Sequence, residues 1–326
     1  RGLGFKIVVK CDSCADQMIP SSSFVAHSYE INRRFILTMR VLGLGLAGAQ
    51  KFCGLMDMPS FLSEHTYSLI LKNIHDSVKI AVEVLFQKAV REEIEIAFDA
   101  VTNAIKKLTV SGDGSWRKRG YTSLFGVSSI IGYYSEKVLD LVVKSSCCKM
   151  CESWKNKLQD AEFQEWYETH KNECNINHEG SSGKMEVDSI IEMFKRSVEK
   201  YNVQYHYYIG DGDSKTYTGI INSHPYDDEE VVKKECVGHV QKRMGTRLRA
   251  LVKKDKKLGG KGKLTGKLID KLTVYYGLAI RRHSNSVNDM YEALWATFHH
   301  YSSSDANPSH EKCPAGEESW CAYRRA

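Results

Sequence analysis

The sequence predicts an α/β protein whose centre is a mixed sheet. Three observations point there. From Lys107 the apolar period changes from helical to alternating, and LTVSGDGSW, YTSLFGVSSIIGYY and KVLDLVVKSS read as three consecutive strands with turns between them. A helix, MEVDSIIEMFKRSVEKYN, follows after a gap, and the strand VQYHYYIGD then returns. Three antiparallel strands, a crossover helix and a strand laid beside the first is the order of an RNase H-like fold. In that order the first and fourth strands lie adjacent and parallel, so Asp113 and Asp211 would emerge side by side.

Length and composition bound the rest. With 326 residues, 42% of them hydrophobic, the chain can bury a core and divides naturally into two or three domains. The expected division is 1–106, a Cys-containing and helical region; 107–258, the sheet domain with an insertion at 147–183; and 259–326, the start of a helical insertion. The formal net charge of +6 is mild. Its placement is not: from Gln241 to Arg282 there are fourteen Lys or Arg against two acids, Asp255 and Asp270. Such density suits a phosphate backbone, although a solvated helix face would look the same on charge alone. No apolar run approaches the roughly twenty residues needed to span a bilayer, so no membrane role is expected. Ten cysteines without a signal peptide argue for metal ligands in a reducing compartment and against a secreted disulfide scaffold. The chain starts at Arg1 and stops at Ala326 in mid-pattern, as a fragment of something longer would.

Along the chain, GFKIVVK is a short strand running into Cys11-x-x-Cys14, half of a zinc knuckle whose remaining ligands would come from upstream or from Cys53. A plain pair of reduced cysteines is the competing reading. INRRFILTMRVLG sets Ile31, Phe35, Met39 and Val41 on one side of a helix, with a glycine-rich break after it. AQKFCGLMD is a second short helix, and a long helix opens at Ser60 or Ser63. Short helix, turn, helix and a longer successor is the order of a helix-turn-helix module, with Arg33 and Arg34 as phosphate contacts. The same order is common in helical bundles.

The gap between the third strand and the crossover helix carries the strongest metal pattern. Cys148-x-x-Cys151 and His170-x-x-x-Cys174 supply two ligand pairs, as a closed tetrahedral zinc site requires. Trp154, Phe163, Trp166 and Tyr167 between them form a small apolar core that needs a metal to hold it. Cys147 and His178 are alternative ligands, and a helical hairpin with free thiols is the bland alternative. Near the C-terminus His310-x-x-Cys313 and Cys321, with His300, would make a second zinc site, although their spacing is uneven.

Carboxylates at strand ends suit hard divalent cations such as Mg²⁺ or Mn²⁺. Two such ions roughly 3.5–4 Å apart activate the attacking oxygen and stabilise the leaving one in phosphodiester displacement. Asp-Gly is also an ordinary turn pair, so the GDG around Asp113 is weak alone. Paired with Asp211 in the right strand order, it gains weight. Asp213 is either a further acid or the cap of the helix SKTYTGII. Cys236 and His239 lie one helical turn apart at the start of the basic helix, as half of a metal site or a pair that braces the acids. That helix offers Lys242, Arg243, Arg247, Arg249, Lys253 and Lys254 to DNA.

Taken together, YEINRRFILTMRVLGLG, KFCGLMDMP, DGSWRKRG, GSSGKMEVDSI, YYIGDGDSKTY, the Cys-x-x-His opening a basic helix and HEKCPAGEESWC resemble the Mutator-like DDE transposases, in particular the arthropod Mutator-like transposase domain. The resemblance spans essentially the whole chain. It implies that Asp113 is the first catalytic acid, that Asp211 is the second, and that Cys236 and His239 are a structural companion to them. It implies DNA as partner (terminal inverted repeats and target), Mg²⁺ or Mn²⁺ at the acids, structural Zn²⁺, a homo-oligomer and residence in the nucleus. A third acid is expected beyond the helical insertion in an Asn-Glu-Ser-type stretch. Glu292, Glu317 and Glu318 lack that setting, so this chain is expected not to catalyse strand transfer by itself. A co-opted relative that only binds DNA through its basic helix and zinc modules is the alternative.

Overall fold

A computed structural model of the protein describes residues 2–25, 28–98, 105–116, 123–156, 160–210, 214–227 and 229–325. The chain forms two compact units, Arg1–Lys88 and Ala89–Ala326.

In the first unit, β1 (Lys6–Cys11) and β2 (Cys14–Pro20) make an antiparallel hairpin, exposed along its whole length, with Cys11 opposite Cys14 at the turn. β3 (Phe24–Val25) pairs with β4 (Ser28–Tyr29). Three helices follow: α1 (Glu30–Val41), α2 (Leu46–Leu55) and α3 (Glu64–Ala97), whose last turns belong to the second unit. The core joins Ile36 and Met39 to Ala49, Cys53, Phe61, Leu62, Tyr67 and Ile70. The buried row of α1 is Asn32, Ile36 and Met39, spaced four and three apart. Val41, expected on that side, is exposed, because two residues past Met39 is more than half a turn around the helix. Asn32 is tolerated inside because its Oδ1 accepts the Leu3 N–H at 2.8 Å. The glycine-rich break is a true turn: Gly43 takes φ +78°, and Leu44 N–H returns to the Met39 carbonyl.

The second unit is built on a five-stranded mixed sheet. β5 (Lys106–Trp116), β6 (Phe125–Gly132) and β7 (Val138–Ser145) run antiparallel in sequence. Two short helices, α4 (Lys149–Ser153) and α5 (Ala161–His170), precede α6 (Ser182–Tyr201). β8 (Val203–Gly210) then pairs parallel to β5. After α7 (Ser214–Asn222) comes β9 (Val232–Glu235), parallel to β8 and not expected from the sequence. The sheet order is β7-β6-β5-β8-β9. α8 (Val237–Lys254), α9 (Gly266–Arg282) and α10 (Val287–Ser302) complete the unit.

α6 is held to the sheet by its apolar row. Ile190, Met193 and Phe194 are buried against Leu108, Val110, Ile130, Leu139, Tyr205 and Tyr208. Each large side chain removed from water there contributes about 1.5–3 kcal/mol. Ser181 caps the helix by accepting the Lys184 N–H, and Asn202 ends it in the left-handed conformation that Asn adopts readily. A buried ion pair fixes its outer side: Arg196 donates from Nε and Nη2 to the Asp140 carboxylate of β7 at 2.8 and 2.7 Å. The last turns of α3 contribute Ala89 and Val90 to the same core. Glu93 there is fully buried, and it accepts the N–H groups of Tyr134 and Ser135 at the β6–β7 turn.

α8 and α9 cross closely because glycines stand at two contacts. A Cβ on Gly245 would lie 2.6 Å from Thr273 Oγ1, and one on Gly277 would lie 2.0 Å from Gln241 Oε1. An Arg249–Asp270 ion pair and the Arg281-to-Gln241 hydrogen bond fasten the same pair of helices.

Candidate functional site

The strand-end site begins from the register of β5 and β8. Val110 pairs with Tyr208 and Ser111 with Ile209. Asp113 stands two residues further along β5, opposite Ser129 of β6, and is exposed. Asp211 and Asp213 lie outside the described residues. Gly210, the last residue of β8, pairs with Glu235 of β9.

Alternation along β5 decides what surrounds Asp113. Val110, Gly112 and Gly114 turn towards α6, while Ser111 and Asp113 turn to the other face. A Cβ on Gly112 would meet Ile190 Cδ1 at 2.7 Å. On Gly114 it would meet Glu186 Oε2 at 3.0 Å. The glycines flanking Asp113 therefore let α6 lie against the strand. Trp116 adds a fastening, donating from Nε1 to the Ser182 carbonyl at 3.1 Å. Beside this point an open cavity of about 810 Å³ is lined by Lys184, Glu186, Asp188, Gly210, Lys215 and Thr216, among others. Glu186 was not singled out from the sequence. The signal that could have found it is the pair of glycines at alternate positions of β5, which marks a close approach by another element.

Cys236 is the N-cap of α8 and His239 sits in its first turn, half-buried, one turn away as their spacing requires. Of the six basic residues expected to meet DNA, Lys242, Arg247, Lys253 and Lys254 are exposed on α8. Arg243 pairs with Glu235 at 2.6 Å, and Arg249 pairs with Asp270. The Glu235 carboxyl is held below its usual range by Arg243 first and Lys233 second. Arg34 of α1 is likewise engaged, with Glu30 at 2.8 Å, and Arg33 hydrogen-bonds Asn73.

The structure gathers Cys148, Cys151, His170 and Cys174 so that their ligand atoms all lie within 4.8 Å of one another. Cys148 Sγ is 3.4 Å from His170 Nε2, and Cys151 Sγ is 3.5 Å from Cys174 Sγ. A disulfide would need sulfurs about 2.05 Å apart. Tetrahedral zinc, with bonds of about 2.3 Å to sulfur and 2.0–2.1 Å to nitrogen, puts ligand atoms roughly 3.3–3.8 Å apart, a range that contains both of these distances. Burial raises the Cys148 thiol, but hydrogen bonds from the Asn175 and Cys151 backbone and from His170 outweigh it and bring it to about 6. Burial and the neighbouring Cys174 and Cys148 push Cys151 up to about 12. The rings of Trp154 and Trp166 stack at 5.3 Å, and Trp166 stacks on His170 at 4.5 Å. The alternative ligands are used elsewhere: His178 Nδ1 lies 3.2 Å from Asp188 Oδ2 and its Nε2 3.2 Å from the Ser181 carbonyl. Cys147 is outside the group.

A second group unites His300, His310, Cys313 and Cys321. The two Nδ1 atoms are 3.2 Å apart, Cys313 Sγ lies 3.8 and 3.9 Å from them, and Cys321 Sγ is 3.6 Å from His310 Nδ1. Either group could hold a structural metal such as zinc. Cys11 and Cys14 face each other across their hairpin, but among the described residues no group of three or more ligands includes them. Cys53 is buried in the core of the first unit instead.

Among the described residues no helix is long and apolar enough to cross a membrane. Compared with known proteins, the chain matches the profile of the family described as Mutator-like transposase over residues 1–321. No curated protein matches it.

Proposed function

Because the chain belongs to the Mutator-like transposase family, we propose that it is the DDE-type core of a transposase, cutting and joining DNA at an acid site on the ends of β5 and β8. The observation that carries this reading is the parallel pairing of those two strands up to Ser111 and Ile209. In the sequence Asp113 follows Ser111, and Asp211 follows Ile209, by two residues each, and that equal offset is the ground for pairing the two acids. The order β7-β6-β5-β8-β9 supports an RNase H-like sheet, and β5 and β8 flank the point where chain order reverses, where α/β sheets commonly bind ligands. Residues 107–258 would be this catalytic core, 1–106 a helix-turn-helix-like DNA-binding region and 259–326 part of a helical insertion.

Asp113 is exposed and presents hard oxygen donors, a fit for Mg²⁺ or Mn²⁺. The cations, when bound, would polarise the phosphate and activate the attacking oxygen. In hydrolysis the water oxygen forms a new bond to phosphorus, the bond from phosphorus to the 3′ oxygen breaks, and that oxygen leaves as a hydroxyl. In joining, the 3′ hydroxyl attacks a target phosphate in the same manner. Asp113 and Asp211 hold the charge that aligns these groups, with Asp213 as a further acid beside them. Cys236 and His239 brace the start of α8, while Lys242, Arg247, Lys253 and Lys254 hold the DNA backbone. Arg243 and Arg249 position the helix through Glu235 and Asp270. The Cys/His groups act as structural zinc centres. The substrate places the protein in the nucleus, and two DNA ends call for a homo-oligomer.

The test is titration of Mn²⁺ into the full chain and its Asp113→Asn variant, alongside a DNA-binding measurement. Mn²⁺ binding that weakens in the variant while DNA binding stays is the expected result. Mn²⁺ binding unchanged by Asp113→Asn, or none by the wild type, would reject the acid-site reading.

A further inference from the structure

We infer that Ser303 is a positioning residue of the C-terminal Cys/His centre, its hydroxyl oxygen accepting a hydrogen bond from Nε2–H of His310 so that the bare nitrogen, Nδ1, faces the metal; this rests on the zinc reading of that group above. His310 meets the group through Nδ1, which lies 3.2 Å from His300 Nδ1, 3.6 Å from Cys321 Sγ and 3.9 Å from Cys313 Sγ. Its other nitrogen, Nε2, lies 3.0 Å from Ser303 Oγ. A neutral imidazole carries one proton, on either nitrogen, and ligates a metal only through the other. The hydrogen bond made by the outer nitrogen decides between the two tautomers. A proton left on Nδ1 would lie among the two sulfurs and the His300 nitrogen and shut the metal out.

The scaffold holds Ser303 for that task. It is the C-cap of α10, three residues after His300, and its Oγ already accepts the Ser309 N–H at 2.9 Å. With one lone pair so used, the second is left for Nε2–H. Ser309 immediately precedes His310, so one hydroxyl ties the helix that carries His300 to the loop that carries His310. That loop is also closed on itself, Ser304 and Asn307 exchanging backbone hydrogen bonds at 3.2 and 3.1 Å. The Tyr323 ring stacks on the His310 ring, with centroids 4.6 Å apart and planes 19° from parallel. Stacking sets the plane of the imidazole, and the hydroxyl sets which edge of it turns inward.

The experiment is chelator competition on the zinc-loaded full chain, for wild type, Ser303→Ala, Ser303→Thr and Cys321→Ser, with the centre at Cys148, Cys151, His170 and Cys174 as the internal standard. Ser303→Ala is expected to give up one of its two zinc ions about tenfold or more readily than wild type, and to hold the other unchanged. Ser303→Thr, which keeps the hydroxyl, should stay with wild type. Histidine nitrogen-15 spectra of the zinc-loaded wild type supply a second readout, which stands even where Ser303→Ala fails to fold. There the ring whose signals vanish in His310→Asn should carry its proton on Nε2. A Ser303→Ala chain that holds both ions like wild type, or a His310 proton on Nδ1, overturns the role of Ser303 and leaves the zinc reading standing. If Cys321→Ser releases no zinc, the zinc reading falls and the role of Ser303 with it.

Discussion

Replacing Arg196 by methionine should loosen α6 from the edge of the sheet, and the structure sets the size of the effect. Asp140 is fully buried, and its two oxygens receive Nε and Nη2 of Arg196 at 2.8 and 2.7 Å. Lys200 approaches at 3.5 Å and the Tyr201 hydroxyl at 3.4 Å, contacts too long to replace that fork. Removing one partner of a buried pair usually costs 3–5 kcal/mol, because the other charge is left stranded. Here Arg196 is 30% exposed, and Lys200 can shift towards the carboxylate, so about 2–4 kcal/mol is expected. Urea unfolding of the full chain followed by far-ultraviolet circular dichroism would measure it. The double variant Asp140→Asn/Arg196→Met removes the stranded charge as well and should recover at least half of the loss. An Arg196→Met variant within about 0.5 kcal/mol of wild type, or a double variant as unstable as the two single losses added together, would refute this account.

Further outcomes follow from other parts of the molecule. Purified chain is expected to carry two zinc ions, one for each Cys/His group, and Cys174→Ser and Cys321→Ser should each remove one by elemental analysis. In DNA titrations at several salt concentrations, Lys253→Ala and Arg247→Ala should each reduce the salt slope by about 1. Arg249→Ala should change the slope less, because that residue is engaged with Asp270. Burial pushes the Tyr226 hydroxyl up to about 12, against the opposing pull of hydrogen bonds with Ser197 and the Tyr205 N–H. Unfolded chains lose this proton near pH 10 and the folded protein keeps it, so stability is full below 10 and falls as pH rises towards 12. Tyr226→Phe should flatten that alkaline fall in a melting-temperature series while lowering stability at neutral pH by about 1–3 kcal/mol, since the Tyr205 N–H loses its acceptor.

The sheet was legible because strands β5 to β8 carry period-two patterns long enough to outweigh local propensity. Its finer features were not. β9 is only four residues, Val232–Glu235, and three of them are Lys or Glu, so nothing local marks a strand; the pairing with β8 creates it. β2, CADQMIP, is exposed at every position and shows no buried face to give a pattern. The register shift between Leu108 and Thr109, which carries both Tyr205 and Tyr208 to the α6 side, depends on packing against Phe194. The pair spacing around residues 148–174 was readable because both halves are short local motifs. The second group was harder: His300 comes from a helix and Cys321 from an irregular segment, and only tertiary structure unites them. Glu186 went unnoticed because a single acid on an amphipathic helix looks solvated until the glycines opposite it are known to face it.

The junction at Glu235 and Cys236 has a mechanical meaning. Glu235 ends the strand beside Gly210, and the next residue already caps α8, so rim and basic helix are one stretch of backbone with no slack between them. Arg243 reaches back from the second turn of the helix to grip Glu235, closing the joint from the side. Gly245 and Gly277 then press α9 against the same helix, leaving it little room to swing. A duplex that pulled on the exposed lysines would therefore load the rim of the sheet itself, as a handle loads the blade it is forged to.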